Sequence, residues 1–149
     1  MKYRHTAAMV LLMPVLLACA APTRQLTPSQ TGAISIVDII DGDTIRIADG
    51  SGGAPISARL VGFDTPETVD PGCPQELALG NTATQRLQVI LHDARRIDPV
   101  VFGTDRFDRQ LLKLVIDGRD LADIMVSEGL AVPYSGGRRI NWCQKLAAS

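Results

Sequence analysis

Three short stretches hold most of the residues that could do chemistry. Asp41-Gly42-Asp43 puts two carboxylates at a turn, and Arg59-Leu60-Val61-Gly62-Phe63-Asp64-Thr65-Pro66-Glu67 ends an apolar run in two more. Asp105-Arg106-Phe107-Asp108-Arg109 supplies two arginines around an aromatic ring. Carboxylates gathered at one place repel unless a cation or arginines compensate. Oxygen ligands without cysteine or histidine favour a hard ion, Ca²⁺ or Mg²⁺. Beyond the first residues His92 is the single histidine, which argues against zinc. The ligand spacing of an EF-hand loop is absent. A guanidinium offers a planar fork of donors suited to phosphate oxygens and to the charge that develops in phosphoryl transfer. Taken singly, each acidic stretch is also what a turn requires, and each arginine could serve a surface ion pair. The chain has no GxSxG elbow, no CxxC pair and no GxxxxGK[ST] loop, so other nucleophile and phosphate-loop systems fit poorly.

These residues need elements that make them converge. From Ala33 the pattern alternates with a period near two, and AISIVDII, DTIRIAD and PISARLVGF read as three antiparallel strands. Asp41-Gly42 is a two-residue hairpin signal between the first pair, and Asp49 to Gly53 is a second turn. Glu76 to Leu91 follows a helical period through Leu79, Ala83, Leu87, Ile90 and Leu91. Two further β-rich runs flank a polar turn at Gly103 to Asp108, with Asp117-Gly118 at the far end. A short helix then carries Leu121, Ile124 and Met125 on one face, with Gly129 past its end. From Leu130 onward the chain reads as irregular. The expected fold is mainly β with two to three helices, in the order β-β-β-α-β-β-α, a five-stranded OB-fold barrel. One difficulty is geometric. Arg59 and Asp64 are an odd number of residues apart, so a regular strand points them to opposite faces. Gly62 is where a bulge or kink would bring them together.

IDGDT at 40–44, RLVGFDTPET at 59–68 and DRFDR at 105–109 resemble, in order and spacing, the three motifs of the thermonuclease (staphylococcal nuclease-like) family. EGLAVPY at 128–134 is similar to the segment after that family's second helix, and the resemblance covers nearly all of residues 33–134. It implies an OB-fold and Ca²⁺-dependent hydrolysis of phosphodiester bonds in DNA and RNA. It also implies roles. Asp43, Asp64 and the backbone carbonyl of Thr65 would hold Ca²⁺, with Asp41 a carboxylate just outside them. Glu67 would act on the attacking water. Arg59 and Arg109 would hold the scissile phosphate. Arg106 and Phe107 would contact substrate, and Tyr134 is a further candidate for base stacking. The family has glycine where this chain has Asp108; a carboxylate there could pair with Arg109 or loosen the turn.

The chain has 149 residues, 46% apolar and 21% charged, which suits one globular domain. A basic head with Lys2 and Arg4 precedes the apolar run Ala7 to Ala18, too short to cross a bilayer as a helix. Residues 1–18 therefore read as an export signal, 19–32 as a tether and 33–149 as the domain. Leu16-Leu17-Ala18-Cys19 resembles a lipobox, so Cys19 is the expected lipid anchor. Ala18-Cys19-Ala20 also fits simple signal cleavage, which would release a secreted protein. An anchored form would face the periplasm or the exterior. Lipidation leaves two of the three cysteines, and exported domains tend to pair theirs, so a Cys73–Cys143 disulfide is expected. Removing residues 1–18 lowers the formal charge from −1 to −3, because Lys2 and Arg4 go with them. Local rather than global positive charge must then hold any polyanion. A monomer is expected. Beside the nuclease stand two other readings, a non-catalytic OB module for nucleotides or single strands and a structural envelope lipoprotein.

Overall fold

A computed structural model of the chain describes residues 34–148 apart from positions 49 and 51. The expected export signal, the expected tether with Cys19, and part of the Asp49–Gly53 turn lie outside the described residues. Eight strands and three helices follow in order: β1 (Ser35–Ile39), β2 (Thr44–Ala48), β3 (Ile56–Leu60), β4 (Gly62–Asp64), α1 (Pro74–Asp93), β5 (Ile97–Thr104), β6 (Gln110–Ile116), β7 (Arg119–Asp120), α2 (Leu121–Ser127), β8 (Val132–Tyr134) and α3 (Trp142–Ala147).

The main sheet runs β1-β2-β3-β6-β5, with β7 on β6, and β4 pairs separately with β8. The first three strands are the expected antiparallel meander, whereas β3 and β6 are parallel. The expected closed barrel is corrected to an open, OB-like sheet, because no pairing among the described residues joins β1 to β5. Both strands carry edge features. β1 is irregular between Ile36 and Asp38, and β5 contains Pro99, which has no N–H to donate. A cavity of about 370 Å³ lined by Ile36, Ile39, Leu91, Ile97 and Pro99 lies along this seam.

The core sits between the sheet and the helices. Ile45, Ile47, Ala58, Leu60, Leu112 and Leu114 meet Ala83 and Leu87 of α1 and Leu121 and Met125 of α2 in one buried cluster. Three local expectations change. The first hairpin turns over residues 40–43, closed by Ile40 N–H on the Thr44 carbonyl at 2.9 Å, rather than over two residues. The third strand divides at Val61. The segment after Leu130 is ordered into β8 and α3, whose Asn141 caps the helix through Gln144 N–H.

Candidate active site

Arg59 occupies β3 beside two neighbours. Register pairs it with Thr44 of β2 and Leu111 of β6, bringing the 40–43 turn and the start of β6 alongside it. The division after Leu60 resolves the parity difficulty. Gly62 has φ 97°, a left-handed conformation that costs glycine little, and from there β4 leaves the main sheet for β8. Asp64 thereby returns to Arg59, whose Nη2 lies 3.2 Å from Asp64 Oδ1 and 3.3 Å from the Phe63 carbonyl. Arg59 Nη1 pairs with the Asp43 carboxylate and reaches the Asp43 carbonyl at 3.3 Å.

This cluster is buried. Asp43 is 4%, Asp64 1%, Thr65 1% and Arg59 8% exposed. Burial draws the Arg59 guanidinium down to about 10, against the opposing pull of Asp64. Burial likewise raises the Asp41 carboxyl, against a hydrogen bond from Thr44 and the charge of Arg59. Asp41 Oδ1 accepts the Asp43 N–H at 2.9 Å and so shapes the turn that aims Asp43 inward. Asp43 Oδ2 in turn accepts the Thr65 N–H at 2.9 Å, locking the two acidic loops together. The two loops approach each other, and α1 approaches the second, because Gly42 and Gly80 lack side chains. A Cβ on Gly42 would lie 2.9 Å from the Thr65 side chain, and one on Gly80 would lie 2.8 Å from the Pro66 carbonyl.

Three residues that the sequence reading passed over complete the site. Trp142 is buried, and its Nε1–H donates to Asp64 Oδ2 at 3.1 Å. Arg139 ion-pairs through Nε with Asp64 and through Nη1 with Glu67, and its Nη2 donates to the Thr65 carbonyl at 2.9 Å. Glu76, in the first turn of α1, accepts the N–H groups of Glu67 at 3.3 Å and Gly72 at 2.8 Å, fixing the Glu67 loop. A disulfide joins Cys73, the cap of α1, to Cys143 of α3, with the Cα atoms 6.0 Å apart. Cys73, Glu76 and Cys143 crowd together, but the sulfurs are bonded to each other and offer no thiolate to a metal.

The third motif forms the opposite wall. Asp105 accepts the N–H groups of Phe107 at 2.9 Å and Arg109 at 3.0 Å, and grips the Arg109 side chain through Nε at 2.9 Å. Burial pushes the Asp105 carboxyl up, but these hydrogen bonds outweigh it and hold the group below its ordinary range. The carboxylate that engages Arg109 is therefore Asp105. Asp108 instead takes a left-handed conformation, φ 59°, the kind of position glycine fills best. Phe107 is 64% exposed, with the Arg106 and Arg109 guanidinium carbons 4.7 and 5.6 Å from its ring centre. Tyr134 donates its hydroxyl to the Gly137 carbonyl at 2.7 Å. Asp43, Arg59, Glu67, Arg106, Phe107, Arg109, Tyr134 and Arg139 all line one open cleft of about 1250 Å³.

Two buried carboxylates and a backbone carbonyl, with no sulfur or nitrogen ligand, are a donor set for a hard divalent cation. Guanidinium groups nearby suit a phosphate. A model of the family described as staphylococcal nuclease homologue matches residues 57–145. The match includes Arg59, Asp64, Glu67 and Arg109 and also the segment that carries Arg139 and Trp142.

Proposed function

The chain belongs to the staphylococcal nuclease homologue family, and from that premise we propose that it is an exported, Ca²⁺-dependent nuclease of low sequence specificity acting on DNA, RNA or both. The observation that carries this reading is the buried Asp43–Arg59–Asp64 cluster, in which Asp43 and Arg59 line an open cleft and Asp64 lies behind them. Such a cluster is a poor source of stability, because desolvating its charges costs about as much as their attraction returns. Function is the better reason for it.

Asp43, Asp64 and the Thr65 carbonyl would hold Ca²⁺, whose chemistry there is to neutralise phosphate charge and lower the pKa of bound water. Arg59 and Arg109 would grip the phosphate oxygens and stabilise the extra negative charge as water adds to phosphorus and the bond to the leaving oxygen breaks. Glu67, at the cleft mouth, would take the proton from that water. Arg106 and Tyr134 would contact the polynucleotide, and Phe107 would stack on a base. The Cys73–Cys143 bond suits an oxidising compartment, which supports export through residues 1–18; an anchor at Cys19 is proposed from the lipobox-like sequence alone.

The second reading, a module that binds nucleotides without cutting, draws on one observation. Glu67 and Asp64 already have a cation within the chain, Arg139. Release of acid-soluble nucleotides from denatured DNA by the purified protein separates the two. Cleavage with millimolar Ca²⁺ that disappears with excess chelator supports the nuclease. Retained nucleotide binding without cleavage, in folded protein, supports the module.

A further inference from the structure

We infer that Arg139 is a further functional residue of this site, one that competes with the divalent cation for Asp64 and the Thr65 carbonyl and thereby sets the cation's affinity. The inference rests on the cation-binding reading above. Three nitrogens of one guanidinium meet three acceptors: the Asp64 carboxylate, the Thr65 carbonyl and the Glu67 carboxylate. Two of these belong to the donor set that suits a hard ion, and the third is the group assigned to the water.

A divalent ion takes such oxygens at roughly 2.3–2.6 Å and needs a lone pair on each, so a guanidinium N–H bound to that same lone pair must give way. Charge gives the same answer. With Arg59 already buried against Asp43 and Asp64, Arg139 brings the second positive charge to the acidic group. An added divalent ion would repel that second guanidinium across a poorly screened interior. Ion and Arg139 therefore exclude one another.

Exposure decides which arginine yields. The Arg59 side chain is 10% exposed and is held by Asp43, Asp64 and the Phe63 carbonyl, whereas the Arg139 side chain is 37% exposed and reaches Asp64 from the solvent side. Rotation of the Arg139 side chain is enough to leave. That displacement has two results at once: Asp64 and Thr65 become available, and Glu67 loses the cation that holds its carboxylate. An ordinary surface ion pair would be worth little. This one differs because one partner, Asp64, is 1% exposed and the contact is threefold.

Calorimetric titration of Ca²⁺ into the metal-free full chain, Arg139→Gln and Arg138→Gln tests this. Arg138 is an exposed neighbour, so its substitution makes the same change in net charge one residue away. The expected result is that Arg139→Gln tightens Ca²⁺ binding by about tenfold or more, a usual size for coupling between two ligands of one site. Arg138→Gln should stay within about twofold of the unmodified chain on the same scale. If Arg139→Gln fails to fold, Arg139→Lys takes its place, since a lysine cannot bridge three acceptors in a plane; tightening in the same direction is expected. Equal affinities in the unmodified chain and the Arg139 variant would overturn the inference while leaving the cation site standing. Weaker binding in the variant would also overturn it. Binding in none of the proteins would remove the cation reading and the inference together.

Discussion

The indole N–H of Trp142 donates to Asp64 Oδ2, 78 positions away in sequence, while Arg59 and Arg139 hold the other carboxylate oxygen of the same residue. Asp64 is thus fixed from three sides, and the chain's single tryptophan reports on it. Addition of a divalent cation to metal-free protein is expected to change Trp142 emission, saturating with the binding isotherm. Trp142→Phe keeps the ring packing but leaves Asp64 one donor short. It should cost about 1–3 kcal/mol in a denaturant titration. Emission indifferent to Ca²⁺ at concentrations where calorimetry sees binding would place the ion away from Asp64.

Glu67 stands at the cleft mouth, half-buried, with its backbone held by Glu76 and its carboxylate held by Arg139. If it takes a proton from water, Glu67→Gln should lower cleavage about 10²- to 10⁴-fold and leave binding of denatured DNA within a few-fold. Arg139 remains a possible hydrogen-bond donor to the amide, so the loop should keep its shape. Cleavage that survives the substitution would assign the water to another group.

Much of this arrangement was legible in the sequence, and the misses have physical reasons. Arg59, Asp64 and Glu67 sit in one stretch, and the break at Gly62 that lets Arg59 meet Asp64 could be anticipated from strand parity. Trp142 and Arg139 reach the site across 72 to 78 positions, from a tail with little periodicity. Their only local signal was charge and a tryptophan beside Cys143 in GGRRINWC. Barrel closure could not be read because it depends on whether two distant edges pair, and Pro99 withholds a donor from one of them. Asp108 drew attention through its adjacency to Arg109. The turn instead places Asp105, four residues back, beneath the guanidinium.

That placement separates two substitutions. Asp108→Gly should leave nucleotide affinity within about twofold and stabilise the protein by up to about 1 kcal/mol, by relieving a left-handed non-glycine residue. Asp105→Asn keeps an oxygen for the Phe107 and Arg109 N–H groups but loses the charge that grips Arg109. It should strengthen nucleotide binding, measured by calorimetry. The sign with pH follows from the lowered Asp105 carboxyl. Its contribution to stability is present above the ordinary carboxylate range and is lost as pH falls through the lower folded-state value. Acid denaturation curves should show that loss in the unmodified chain and not in Asp105→Asn. Identical curves would mean that the Asp105–Arg109 pair contributes nothing in solution.

The Cys73–Cys143 bond closes 70 positions of chain and clamps α3, with Trp142, onto the start of α1. Loops of that length are associated with about 4 kcal/mol of stabilisation when cross-linked. Cys73→Ser should therefore lower stability by roughly 2–4 kcal/mol. It should also abolish the mobility difference between reduced and non-reduced samples on a gel. Because the bond holds the segment that carries Trp142 and Arg139, the Ca²⁺-dependent emission change should shrink in the variant as well. No mobility difference in the unmodified protein would mean that the bond does not form.

Gly80 offers a test in which propensity and packing predict opposite signs. It lies inside α1, where alanine is normally favoured over glycine by about 1 kcal/mol. Here, however, an added Cβ would lie 2.8 Å from the Pro66 carbonyl and 2.9 Å from the Glu67 carbonyl, both backbone atoms. One side must move, and the side that can is the 65–68 loop, which carries Glu67 and the Thr65 carbonyl. Overpacking of this kind costs about 1–3 kcal/mol, so Gly80→Ala should be net destabilising despite its helix propensity. Its effect on cleavage should exceed its effect on stability, because shifts of about 1 Å at reacting groups can cost on the order of 100-fold in rate. A Gly80→Ala protein that melts higher and cuts as well as the original would show that the close approach of α1 is not what positions Glu67.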